Sequence, residues 1–158
     1  FETVKPFRVG EGEVLREGRD GQFVVLGNLV EVAMEAAKRL SSEGFEMGVV
    51  NARFVKPLDR ELLKRTLRGA PRIVTMEEGA LQAGFGSAVL EFMQEEGMVC
   101  EKILRLGFTD EFIHHGNRNV LLKAAGLDAD SVHHRVRKEL FPAESNNLAD
   151  NLIQLKRA

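Results

Sequence analysis

A single cysteine, Cys100, stands in 158 residues, so an internal disulfide and a thiolate metal cluster are both excluded. The scarcity fits a reducing compartment, with the cytoplasm as the expectation. Val99 and Ile103 flank this thiol closely in sequence, and a packed side chain is favoured over a reactive one. No apolar run approaches the roughly 20 residues needed to cross a bilayer, which argues against a membrane-spanning helix. Neither sign of charge dominates: the net charge is −2, and Lys and Arg are scattered, so nucleic acid is not an expected partner. No signal peptide opens the chain, and Phe1 replaces an initiator methionine, so we expect a fragment of a longer protein.

With 44% hydrophobic and 29% charged residues, the composition is that of a globular protein, and the length suits one domain. Residues 1–21, punctuated by Gly10, Gly12, Gly18 and Gly21 around the pair Val14 and Leu15, are expected to form a leading arm and turn. A domain body over 22–141 and a tail over 142–158 complete the predicted organisation. The tail follows Pro142, with Leu148, Leu152 and Leu155 hinting at a small amphipathic turn, frayed or docked on a neighbouring subunit.

Within the body one pattern recurs. Phe23-Val24-Val25-Leu26 reads as a strand covered on both faces. Gly27 breaks it, and Asn28 with Glu31 suggests a capping box for a helix whose stripe is Leu29, Val32, Ala33, Ala36 and Leu40. Glu35 and Arg39 form its solvent-side pair, and Gly44 ends it. Met47 to Ala52 is a second strand, followed by the Lys56-Pro57-Leu58-Asp59 turn and a helix capped by Asp59 through Leu62, Leu63 and Leu67. Ile73 to Met76 is a third strand. Glu77 to Gly86 is expected as a loop, before a helix with the stripe Phe85, Ala88, Val89, Phe92 and Met93 that ends at Gly97. Ile103 to Leu106 is a fourth strand. A polar connection, Asp110 to Asn117, then leads to two short helices, 120–125 and about 129–140, the second capped by Asp128. Strands alternating with helices predict an α/β fold, a three-layer α/β/α sandwich around a mostly parallel sheet.

In such sheets function gathers beyond the carboxyl ends of the strands. The richest candidate there is Glu77 and Glu78 leaving a strand, with Gly84, Gly86 and Ser87 opening a helix. Free N–H groups at that helix start can hold an anion or a partner's carboxylate. The plainer reading, in which the two glycines permit a tight helix start and Ser87 helps satisfy its first turn, is favoured. The pattern is neither a Walker A loop nor a Gly-x-Gly-x-x-Gly fingerprint. Asp110, Glu111, His114 and His115 invite a metal reading, but adjacent residues on an element point apart, so a loop or interface histidine is preferred. His133 and His134, beside Arg135 and Arg137, read as a solvated helix face. A Gly-x-Ser-x-Gly nucleophile elbow is absent. So is the Gly-Asp-Gly run, followed at a distance by paired asparagines, that holds magnesium and diphosphate in thiamine enzymes.

Five ordered stretches carry a resemblance: Gly10-Glu-Gly-Glu-Val-Leu-Arg-Glu-Gly18, Val50-Asn-Ala-Arg-Phe-Val-Lys-Pro-Leu-Asp59, Thr75-Met-Glu-Glu-Gly79 with Gly84-Phe-Gly-Ser-Ala-Val89, Leu106-Gly-Phe-Thr-Asp-Glu-Phe-Ile-His-His-Gly116, and Ala125-Gly-Leu-Asp128. Together they closely resemble the C-terminal third of the 1-deoxy-D-xylulose-5-phosphate synthase family, over roughly residues 9 to 140. The resemblance implies a transketolase C-terminal-type domain with a five-stranded sheet, mostly parallel with one antiparallel strand. It implies a homodimeric transferase that condenses pyruvate with glyceraldehyde 3-phosphate on thiamine diphosphate and magnesium, feeding isoprenoid, thiamine and pyridoxal synthesis. It also implies that the cofactor and substrate ligands belong to N-terminal and central domains absent from this chain. No catalytic, cofactor-binding or metal-binding residue is therefore carried over, and the chain alone is expected to be inactive. The candidate loop residues stay Glu77, Glu78, Gly84, Gly86, Ser87 and His115, as an anion or interface loop. Two departures mark the chain: Ala83-Gly84 replaces a double glycine, and the pair His114-His115 replaces a single histidine matched by His115. The competing assignments are the C-terminal domain of a 2-oxoacid dehydrogenase beta subunit and a stand-alone anion-binding regulatory module.

Overall fold

A computed structural model describes residues 7–142. The elements run β1 (Glu13–Arg16), β2 (Gly21–Val25), a 3-10 turn (Gly27–Leu29), α1 (Val30–Ser42), β3 (Met47–Asn51), α2 (Arg60–Leu67), β4 (Arg72–Ala80), α3 (Phe85–Glu95), β5 (Lys102–Phe108), α4 (Arg118–Ala124) and α5 (Ala129–Leu140). Five strands form one sheet in the order β1-β3-β2-β4-β5, in which only β1 is antiparallel to its neighbour.

Strand alternation sorts the core into two halves. Phe23, Val25, Val49, Val74, Met76, Leu104 and Leu106 face α1, α4 and α5, where Ala33, Ala36, Leu40, Leu122, Val132 and Val136 meet them. Val24 and Ile73 point the other way, onto Leu63 and Leu67 of α2 and Phe85, Val89 and Phe92 of α3. Helices therefore cover both faces of the sheet, the three-layer α/β/α sandwich expected from the alternation of strands and helices. No helix among the described residues is long and apolar enough to cross a membrane.

Several local expectations need correction. The sheet starts inside the stretch expected to be an arm, because Glu13–Arg16 pairs with β3, Glu13 opposite Asn51 and Val14 opposite Val50. Only alternate residues of this edge strand are partly covered, which leaves too short an apolar signal to read. Asn28 does not cap α1. The 3-10 turn runs straight into that helix, so the cap position, Leu29, is already helical (φ −75°, ψ −1°), and no side chain caps it. The expected loop from Glu77 begins instead as strand, since β4 continues to Ala80 and regains pairing with Phe108 after an irregularity. Helix α4 starts two residues early, at Arg118, with the Asn117 side chain accepting from the N–H of Asn119.

The other two side-chain caps form as expected. Asp128 accepts from the N–H of Ser131. Asp59 accepts from the N–H of Leu62 at 2.9 Å and, through its second oxygen, from the N–H of Gly12 at 2.9 Å, so one carboxylate starts α2 and anchors the approach to β1. Glu35 and Arg39 pair at 2.8 Å. Cys100 is half-buried against the α2–α3 side of the core, and burial pushes its thiol up. His133 departs from the expected solvated face: its Nε2 lies 2.5 Å from Glu43 Oε1, while Arg137 Nε donates to the other oxygen at 3.0 Å. Those two partners hold the Glu43 carboxyl below the usual range and bind the end of α1 to α5. The amphipathic turn suggested by Leu148, Leu152 and Leu155 lies outside the described residues.

Candidate functional site

The chain reverses its direction of travel across the sheet after β3, so β2 and β4, neighbours in the middle, feed their following helices from a common crevice. Leu26, Gly27, Asn28, Glu77, Glu78 and Gly79 line it, around about 270 Å3 of space. Gly27 turns the chain there with φ +73°. This is where a sheet of this type places a ligand.

Glu77 and Glu78 are adjacent on a strand and therefore point to opposite sides. Glu77 is 4% exposed and turns beneath α3. Its Oε2 accepts from the N–H of Phe85 at 2.7 Å and its Oε1 from the N–H of Gly86 at 2.8 Å. A carboxylate at a helix N-terminus satisfies unpaired N–H groups and complements the positive end of the dipole. The seat that an external anion would take is thus filled by the chain itself. Gly84 and Gly86 make the fit possible. A Cβ on Gly84 would stand 2.1 Å from the Ala80 carbonyl oxygen and 2.3 Å from Glu77 Oε2, and one on Gly86 would stand 2.6 Å from Thr75 Oγ1. Ala83, just before them, holds the left-handed conformation at φ +55°, which favours glycine, the residue the resemblance leads one to expect there.

Ser87 serves the loop rather than the first turn. Its hydroxyl donates to the Leu81 carbonyl at 3.2 Å and accepts from Arg105 Nη1 at 3.0 Å. The same Arg105 nitrogen donates to the Leu81 carbonyl at 2.9 Å. Arg105 was not among the sequence candidates; the signal was there, in one charged residue interrupting Ile103-Leu104-Arg105-Leu106. Glu78 faces outward and takes both Arg118 Nε, at 3.1 Å, and Arg118 Nη2. Its hydrogen bonds raise the Arg118 guanidinium above its ordinary value. This pair links the β4 end to the start of α4, a contact that no local pattern announces.

His115 does not join the group. It stays exposed on the β5–α4 connection with Asp110, Glu111 and His114. Among the described residues, no three His, Cys, Asp or Glu side chains gather as metal ligands would.

Residues 10–132 match the family described as the C-terminal domain of transketolase. The chain belongs to that family. Among relatives of this transketolase C-terminal domain, 1-deoxy-D-xylulose-5-phosphate synthase 1 of Geobacter metallireducens is 46% identical over 136 residues, 86% of this chain and 22% of that protein. The 1-deoxy-D-xylulose-5-phosphate synthase of Heliobacterium modesticaldum is 48% identical over 136 residues, 86% of this chain and 21% of its own length. The chain thus spans about a fifth of the curated relatives it matches. A solved structure described as a split gene transketolase, inactive beta4 tetramer, superposes with a TM-score of 0.78 at 38% identity, over 89% of this chain and 45% of that one. A transketolase from Campylobacter jejuni shares the fold, with a TM-score of 0.58 at 17% identity over 82% of this chain and 19% of its own.

Proposed function

We propose that this transketolase C-terminal domain is part of a 1-deoxy-D-xylulose-5-phosphate synthase, a thiamine-diphosphate transferase that joins pyruvate to glyceraldehyde 3-phosphate with release of carbon dioxide. The enzyme is homodimeric and cytoplasmic, and its product leads to isoprenoid precursors and to thiamine. Identity of 46 to 48% with synthases along 86% of the chain carries this reading. The relatives compared are synthases, so a 2-oxoacid dehydrogenase beta subunit is not favoured.

The residues present do not fit the cofactor. The helix N-terminus best placed for a diphosphate is saturated by Glu77, and the acidic and histidine side chains do not converge on a metal position among the described residues. The resemblance to the synthases is what assigns thiamine diphosphate and magnesium to the N-terminal and central domains, and this domain to structural support and contacts.

The purified chain, given pyruvate, glyceraldehyde 3-phosphate, thiamine diphosphate and magnesium, is expected to release no carbon dioxide. Adding the separately produced remainder of the synthase is expected to restore release. Isothermal titration of the chain with phosphate, thiamine diphosphate and glyceraldehyde 3-phosphate should be flat. A saturable micromolar signal would favour a stand-alone anion-binding module instead.

A further inference from the structure

Large apolar side chains left in water are distributed unevenly over this domain. Phe112 is 103% exposed, Ile113 47% and Val120 65%, all in the β5–α4 region, and Val55 follows the carboxyl end of β3. Phe7 and Val9, also exposed, lead into β1. Because β1 is antiparallel, with Glu13 opposite Asn51 at the last position of β3, they too lie toward the carboxyl end of the sheet. Arg53, just past β3, stacks its guanidinium 4.7 Å from the Phe7 ring centre. Of the other exposed large apolar residues described, Leu15 sits midway along the edge strand β1 and Val99 at the amino end of the parallel strands.

Scattered surface leucines and valines need no explanation, but a phenylalanine fully in water beside other apolar groups marks a contact surface. Here the surface is also concave. Leu81, Phe108, Phe112, Ile113 and Leu121 line a groove of about 410 Å3. Glu111 lines it together with Arg135, whose charge is taken up by Glu139, and Asp110 lines the adjoining hollow beside Phe112 and Ile113; Asp110 and Glu111 form no ion pair among the described residues.

We propose that the carboxyl end of the sheet, centred on the groove from Phe108 to Ile113, seats the part of the same polypeptide that precedes this domain. The inference rests on the synthase reading, which places about four fifths of the protein outside this chain. The described chain comes into the sheet from the carboxyl end, past Phe7 and Val9, so the preceding segments arrive at the end that carries the apolar surface. The complementary surface is apolar with a basic rim facing Asp110 and Glu111.

Hydrogen–deuterium exchange on the full-length protein and on this chain alone tests the placement. In the full-length protein, amides 108–121 are expected to exchange slower by roughly tenfold or more, while amides 97–101 around Val99 keep their rates. Equal rates at 108–121, or slowing confined to 97–101, would overturn the proposal. Concentration-dependent slowing at 108–121 in the isolated chain, with a doubled mass in sedimentation, would replace it with a second copy of this domain. Phe112→Asp and Val120→Asp should abolish the slowing in the full-length protein and leave the melting temperature of the isolated chain unchanged. Exchange does not depend on turnover, so a full-length protein without synthase activity sinks the functional reading and leaves the docking test standing. A natural gene product no heavier than this chain would sink both.

Discussion

The connections after β4 and β5 leave adjacent strands at the same end of one sheet, and they are built on opposite principles. After β4, Glu77 folds back under α3, both of its oxygens accept backbone N–H groups, and two glycines let the backbone close over it. After β5, the chain presents Phe112 to water and leaves its histidines free of the core. A loop at the carboxyl end of a parallel sheet is therefore not a ligand site by position alone. Polar groups that are already satisfied have nothing to offer a ligand, whereas apolar surface that is not yet buried has burial still to gain.

The sharpest way to break this contrast is Glu77→Ala. It strands the N–H groups of Phe85 and Gly86 in a buried space, where each unsatisfied donor costs about 1 to 3 kcal/mol, so a loss of about 3 kcal/mol is expected in urea unfolding. A loss under about 1 kcal/mol would mean that the carboxylate is replaceable and that the seat is open to external anions. Gly84→Ala forces a methyl group to within 2.1 Å of the Ala80 carbonyl oxygen and is expected to cost about 2 kcal/mol by the same measurement. Ala83→Gly relieves the left-handed strain at the adjoining residue, and a gain of about 0.5 kcal/mol should remain after the extra freedom of glycine in the unfolded chain. On the open side, Phe112→Ser should leave the stability of the isolated chain within about 0.5 kcal/mol, because a ring wholly in water contributes no packing there. A large loss from Phe112→Ser would erase the distinction between the two loops.

Much of the fold was legible because its signals are local and repeated: apolar runs for β2 to β5, helical stripes, and the caps at Asp59 and Asp128. β1 was hidden because an edge strand buries so little that Val14 and Leu15 alone cannot declare it. At the site, the sequence brought Glu77, Gly84, Gly86 and Ser87 into one neighbourhood, since all lie on a strand end and the helix after it. It could not show that Glu77 points inward and Glu78 outward, which depends on the phase of the pleat relative to the core. Nor could it pair Glu78 with Arg118 or Ser87 with Arg105, contacts that exist only once β5 lies beside β4. The exposed Phe112 was hidden by its setting in a polar stretch.

The short first strand has a consequence for anyone dividing such a protein into modules. Met47 to Val50 of β3 are buried, and β1 pairs with the outer side of that strand at Val49 to Asn51. A polypeptide trimmed to begin at the next strand would leave that row of N–H and C=O groups without a companion, backed by apolar side chains, and the trimmed molecules would add to one another edge to edge and precipitate as fibres. A sound cut falls before Gly10, so that Gly12 keeps its tie to Asp59 and the sheet keeps its border.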